Sequence, residues 1–383
     1  MSDVDTIAGT LPTVAGSGNS GARPAAHLTP IWRITVNGAN VSDRIMPRFV
    51  SLHITDDRAN DADEIELVVS DHDGAVQLPD TGDTVEVAIG WRAEPAAAPY
   101  RQLSTDELGF PIGLVDKGRY TVQAVEYTGT PDTITIRARA ANLLDTLRGL
   151  RDQSWHDTTV GAIVTSVAKR NGIDASIDKA VAARKVKHAD QLSESDASFL
   201  RRLAQTYDCI CTVKSGKLLF SQARAARTPS GKQLPPVTIV RVDGDQHRWS
   251  RADRDSYSGV RAMYTNIKTG NRSAVVAGIS GRAKELRTTF ASREDALAAA
   301  RAEWLRIQRG IFAFEVTLAY GRADLTPQRP VRVAGYKPQI DATPWIITCV
   351  RHTLDGGGYV SQLMLETEQA EGVEGQESMN TEQ

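Results

Sequence analysis

From Ile31 onward, apolar and polar positions alternate with period two. Trp32-Arg-Ile-Thr-Val36 runs into Asn37-Gly38, a dipeptide suited to the two positive φ angles of a tight hairpin. Residues 49–54, 65–69, 84–89, 120–125 and 133–137 repeat the alternation. Alternation sends one face of each strand to a core and the other to solvent. Six short strands separated by turn residues read as a barrel or sandwich. A short helix at 142–148 is expected to close this unit before Gly149.

Residues 150–227 change period. Val160, Ile163, Val164, Val167 and Ala168 fall on one helical face. Asp157 or Thr158 is positioned to cap that helix, and Asn171-Gly172 to end it. A second helix is expected from Ser193, with Asp196 as its capping-box partner. Its apolar face is Phe199, Leu200, Leu203, Ala204 and Tyr207. A hairpin with strands at 209–214 and 218–221 completes a compact α+β unit. Residues 228–236, rich in Pro and Gly, read as a linker.

Residues 237–368 return to period two at 237–242, 259–264, 314–318, 331–333 and 345–350. One helix interrupts them. Ser292 caps it, Asp295 completes a capping box, Leu297, Ala300, Trp304 and Ile307 form its buried stripe, and Gly310 ends it. The flanks differ from all of this. Residues 1–30 are mostly Gly, Pro, Ala, Ser and Thr, and residues 369–383 carry four Glu and no Lys or Arg. Neither has enough apolar surface to offset its ordering entropy. They read as a flexible arm and an acidic flexible tail.

Two stretches repeat an order of elements. Ile65-Glu-Leu-Val-Val69, Leu78-Pro79, the strand from Val85 to Gly90-Trp91, the longer strand from Tyr120 and the closing strand from Ile134 come first. Phe314-Glu-Val-Thr-Leu318, Leu325-Thr-Pro327, the strand from Val331 to Gly335-Tyr336, the longer strand from Trp345 and the closing strand from Val360 follow in the same sequence. This pattern is expected of a duplication.

Charge narrows the function classes. The 383 residues hold 45 Lys and Arg against 47 Asp and Glu, a formal net charge of −2. A strongly basic phosphate binder is excluded, and no sequence-specific nucleic-acid binding is expected. No apolar run reaches the roughly 18 residues of a membrane helix, so no membrane insertion is expected. The first residues are acidic and lack the apolar centre of a secretory signal. The cysteines, Cys209, Cys211 and Cys349, are too few and odd in number for a disulfide framework, which fits a reducing cytoplasm. Cys209-x-Cys211 has no His or Cys cluster at metal-site spacing and reads as two strand residues.

Catalytic motifs are missing. Gly216-Lys217 and Gly231-Lys232 are followed by Leu and Gln, not the Ser or Thr of a phosphate loop. There is no nucleophile elbow and no H-E-x-x-H, and the seven histidines are scattered. Asp71-His-Asp-Gly74 lacks the other carboxylates of a calcium loop and reads as a turn. A carboxylate pair such as Glu194 and Asp196 could in principle do acid/base work on a glycan. A helix's first turn favours carboxylates on its own account, so both are expected to be structural. No catalytic, cofactor-binding or metal residue is assigned.

The string Gln191-Leu-Ser-Glu194-Ser195-Asp196-Ala-Ser-Phe199-Leu200-Arg-Arg-Leu203-Ala204 resembles the late control protein D family, the tail hub of contractile-tailed phages and prophages. Residues 257–264, 296–309 (with Trp304) and 345–352 (from Trp345) share the resemblance, which spans roughly 31–368. That family is similar in fold to the hub portion of type VI secretion spike proteins. The resemblance implies a mainly β chain with an α+β insertion. Two tail-tube-like β-barrel domains, 31–149 and 237–368, would flank a small α+β domain at 150–227. It implies a homotrimer that joins the sixfold tail tube to a trimeric central spike, with tape-measure and baseplate wedge proteins as further partners. It implies no enzyme activity and a place in the virion baseplate, after assembly in the host cytoplasm. Two other classes compete: a peptidoglycan hydrolase acting through Glu194 or Asp196, and a host-glycan-binding tail-tip module with exposed aromatic platforms.

Overall fold

The computed structural model of the protein describes residues 28–58, 63–93, 110–140, 147–214, 217–223, 233–251, 257–265 and 270–368. The expected arm up to residue 27, the acidic tail, most of the expected helix at 142–148 and most of the linker lie outside the described residues.

The first β unit contains β1 (Leu28–Val36), β2 (Ala39–Asn40), β3 (Phe49–Asp57), β4 (Glu64–Ser70), β5 (Thr84–Ala93), β6 (Gly113–Thr128) and β7 (Thr133–Ala140). Asn37 and Gly38 take φ of 49° and 82° in the turn between β1 and β2. The strands lie in the order β3-β4-β7-β6-β5-β1-β2, all antiparallel. Ile34, Leu52, Ile54, Val87 and Ile89 are among the side chains of its core. β6 begins at Gly113 where the alternation predicted Tyr120. Its first half pairs with β5 across a bulge at Val87/Ala88, and a bulge interrupts the regular ladder.

The middle unit contains β8 (Leu150–Thr159), α1 (Val160–Arg170), β9 (Asp174–Ile177), β10 (Lys185–Ser195), α2 (Asp196–Thr206), β11 (Cys209–Lys214) and β12 (Lys217–Gln222). The predicted apolar faces of α1 and α2 are buried in one cluster with Phe220. Both helix starts differ from expectation. Thr159 caps α1, its hydroxyl accepting from the Ala162 N–H at 3.2 Å. Ser195 caps α2, accepting from the Ser198 N–H at 3.2 Å. Ser193 instead lies in β10 with φ of 44°, and Asp152 accepts its N–H at 2.6 Å. The β8–β10 ladder continues to Leu150↔Ser195, so the chain is still strand where a helix was predicted. This two-stranded ribbon was not predicted at all, because its polar residues give no apolar alternation.

The second β unit contains β13 (Val237–Val240), β14 (Gly244–Arg251), β15 (Gly259–Thr265), β16 (Arg272–Gly278), β17 (Ala283–Phe290), α3 (Arg293–Arg309), β18 (Phe312–Leu318), β19 (Pro330–Ala334), β20 (Trp345–Asp355) and β21 (Gly358–Thr367). Strands β15 to β17 form a side sheet that packs on α3. The buried stripe of α3 is Ala296, Ala300 and Ile307; Leu297 and Trp304 are only half-buried at its margin. The predicted stripe is therefore rotated. Ala299 and Ala302 are buried too, so small residues let α3 bury more than one face.

The main sheet repeats. β3-β4-β7-β6-β5-β1 in the first unit corresponds to β14-β18-β21-β20-β19-β13 in the second. Bulges recur at matching places: Phe49/Ser51 and Gly244/Gln246 against β4 and β18, and Val122/Ala124 and Ile347/Cys349 against β7 and β21. One difference is that β1 runs antiparallel to β5 while β13 runs parallel to β19. Each unit has a core, and that of the first takes in Ala323, Leu354 and Tyr359 of the second. They share one 13-stranded sheet because β20 pairs with β3, a connection not predicted.

Candidate functional site

The recognisable string converges on one buried carboxylate. Asp196 is 1% exposed at the first position of α2. Gln191 is fully buried and donates to it at 2.8 Å, and Asn171 donates at 2.8 Å. Arg170 makes two bonds to it, one from Nε at 2.9 Å. Burial pushes the Asp196 carboxyl up, but the hydrogen bonds from Arg170, Gln191 and Asn171 together outweigh it and hold the group below its usual range. Gln191 also donates to the Glu194 carbonyl at 2.9 Å, which fixes the bulge before the helix. Glu194 precedes α2 and is not in its first turn; it accepts from Arg202 Nη2 at 2.7 Å. Phe199, Leu200, Leu203 and Ala204 complete the string on the buried face of α2.

A general acid must hold a proton near neutral pH and reach its substrate. Asp196 is ionised and enclosed, and Glu194 is tied to a guanidinium. The arrangement locks α1, α2 and the β8–β10 ribbon together. Sequence reasoning missed Arg170; its place in the last turn of α1, just before Asn171-Gly172, was the available signal.

Trp345 lies fully buried at the start of β20 and donates to the Ile340 carbonyl at 2.9 Å. Trp304 packs in the side sheet's cluster and belongs to neither the cluster of α2 nor that of Trp345. Cys209 and Cys211 lie on β11 against the middle core, where burial pushes each thiol up to about 12. His156 and His188 approach at 3.0 Å, with Asp190 2.8 Å from His188. No group of three or more metal-ligating side chains is assembled among the described residues.

The second concentration of buried polar groups is the β3–β20 junction. His352 is 0% exposed, 2.8 Å from the Ser361 hydroxyl and 3.1 Å from that of Tyr359. Burial, and then the nearby charge of Lys117, hold the imidazole well below its ordinary pKa. Trp91 of the first unit donates to the Gly321 carbonyl of the second at 2.7 Å. Its ring lies 5.3 Å from that of Tyr359. Arg309 of α3 forks onto Asp208 of the middle unit at 2.7 and 2.5 Å, with Glu366 of β21 at 3.5 Å. The three parts are thus joined by buried, hydrogen-bonded contacts.

Comparison with known proteins gives the same direction. The family described as phage tail baseplate hub (GPD) matches residues 110–358. The probable baseplate hub protein of Escherichia phage 186 is 36% identical over 380 residues, covering 88% of this chain and 93% of that protein. The probable baseplate hub protein of Escherichia phage P2 is 37% identical over 379 residues, with the same coverage. Among solved structures, the 43 kDa tail protein of prophage MuSo2 from Shewanella oneidensis is similar in fold. Its TM-score is 0.63 at 14% identity, over 88% of this chain and 98% of that one.

Proposed function

We propose, from the premise that this chain belongs to the phage tail baseplate hub family, that it acts as a ring-forming adaptor in a contractile tail. As a baseplate hub protein it is part of the virion's tail baseplate. In this reading three copies form a hub. One face docks on the sixfold tail tube, and the other holds a trimeric central spike. Tape-measure and baseplate wedge proteins are its further partners, and assembly takes place in the host cytoplasm. The division into 31–149, 150–227 and 237–368 belongs to the same reading.

The observation that carries it is the repeated six-strand order. Two equivalent units per chain turn threefold symmetry into six similar positions, which is what a threefold-to-sixfold adaptor needs. The enclosed, ionised Asp196 supports a non-enzymatic role. Native mass spectrometry of the chain with its spike should give three copies of each; a stable monomer or dimer in that complex would overturn the reading.

A further inference from the structure

A groove of about 800 Å³ opens in the second β unit between β14 and residues 335–343. Four cations line it: Arg241, Arg248, Arg251 and Lys337. No Asp or Glu does, and none of the four has an ion pair among the described residues. The carboxylates closest in sequence are turned to backbone. Asp341 accepts from the Gly335 and Tyr336 N–H groups at 3.0 and 3.1 Å, and Asp243 from the Val240 N–H at 3.1 Å. The floor is aromatic. The Trp249 and Phe312 rings stack at 5.8 Å, and Arg251 and Arg241 lie over the Phe312 and Tyr336 rings at 5.7 and 5.6 Å. Like charges gathered in one cleft raise the local concentration of anions.

The last strand delivers the chain to this groove. Ala313 pairs with Glu366 and Phe312 with Arg251, so Thr367, Phe312 and Arg251 stand in one row across β21, β18 and β14. Neighbouring strands lie about 4.8 Å apart, which puts Thr367 roughly 10 Å from Arg251. The Glu368 N–H donates to the Pro344 carbonyl at 2.8 Å, next to Thr343 of the groove wall. Residues 369–383 follow, with Glu371, Glu374, Glu377 and Glu382 and no Lys or Arg. From Glu368 to Glu377 a chain spans up to about 30 Å, enough to run the groove.

We infer that residues 369–377 dock in this groove of their own chain, with the carboxylates of Glu371, Glu374 and Glu377 against Arg248, Arg251 and Lys337. Carboxylates bound by guanidinium and ammonium groups make charge-assisted hydrogen bonds. Gly372 and Gly375, set between the glutamates, have no side chain to keep the backbone from the stacked rings. Exposed ion pairs are individually weak. The short tether compensates, because it holds the segment at an effective concentration in the millimolar range. The acidic segment is thus a built-in ligand for a basic aromatic cleft. The inference goes beyond the ring proposed above and does not depend on the number of copies.

The test is disulfide trapping in the full chain. Gln339→Cys/Val373→Cys should close an intrachain disulfide under mild oxidation, and neither single variant should. Val373 lies five residues past Glu368, a span of up to about 17 Å, so docking must be told from chance contact of a tethered segment. Adding Glu371→Gln, Glu374→Gln and Glu377→Gln should lower the yield at least fivefold. So should about 1 M salt, which shortens the screening length to about 3 Å. Unchanged yields under both would show chance contact and overturn the inference, and a disulfide joining two chains would overturn it as well. A second measurement needs no new cysteine. Dicarbonyl modification of Arg248 and Arg251 should run at least threefold faster in the chain with the three Gln than in wild type, and equal rates would overturn the docking. An unchanged melting midpoint confirms that each variant is folded.

Discussion

His352 on β20 stands directly opposite Ile54 on β3, and both are 0% exposed. This pair joins the two β units at a point shut off from the protein surface. An imidazole there is stable only when neutral, because charging a buried group without a partner is costly. Its Nδ1 is served by Ser361 and Tyr359.

That relationship sets a pH dependence. The folded pKa of His352 is depressed from 6.5, so the folded state binds fewer protons than the unfolded one. Stability is full above about 6.5 and falls as pH drops below it, by at most roughly 1.4 kcal/mol per pH unit for one group. Melting midpoints between pH 7 and 5 should decline, and His352→Gln should flatten this group's share of the slope. An identical slope in the variant would show that other groups control acid stability.

Gly321 tests the packing of the same junction. A Cβ at this position would lie 2.3 Å from the Tyr359 ring, whose phenol is held by His352. Gly321→Ala should destabilise by about 1–3 kcal/mol, the range for overpacking a filled site. Denaturant unfolding measures it; a neutral result would mean that Tyr359 moves freely.

Arg309 and Asp208 form a buried two-bond pair between α3 and the middle unit. Arg309→Met should cost about 3–5 kcal/mol, because it strands the Asp208 charge. Adding Asp208→Asn should recover part of the loss. If the double variant is as unstable as the sum of the singles, the pair is not coupled.

Asp196 and Glu194 separate structure from chemistry. Asp196→Asn removes the charge facing Arg170 and should lower the melting midpoint clearly. Glu194→Gln breaks a surface-type pair of about 0.2–1 kcal/mol and should barely move it. Neither purified wild type nor variant should clear a peptidoglycan zymogram. Clearing by wild type that Glu194→Gln abolishes would establish a hydrolase.

Trp304 and Ile307 test the rotated stripe of α3. Ile307→Ala should cost about 2–5 kcal/mol as a buried aliphatic, and Trp304→Ala should fall below the roughly 3–5 kcal/mol of a fully buried ring. A larger loss at Trp304 would restore the stripe read from the sequence.

What the sequence by itself determined is local. Period-two alternation marked most strands of the main sheet, and i, i+3, i+4 spacing placed the buried faces of α1 and α2. Asn37-Gly38 marked the first hairpin, and the paired strings from Ile65 and Phe314 exposed the repeat. These signals are legible because each arises between residues close in the chain. The carboxylates Glu194 and Asp196 were legible as residues, but not the partners that decide their chemistry.

Only the tertiary structure decided the rest. Ser193 was misread as a helix start because the β8 ladder, fixed from Leu150, holds it in strand. Trp304 was placed in a core because a helical stripe shows its period but not which of two packed faces is deeper. The β3–β20 junction, the Arg170–Asp196 bonds and the groove beside β14 depend on which surfaces meet across long stretches of chain. Backbone hydrogen bonds are the same for every residue type, so a strand's composition says that it pairs and not with what. The choice among edges is made by register, bulges and burial acting together, and those exist only once the chain has folded.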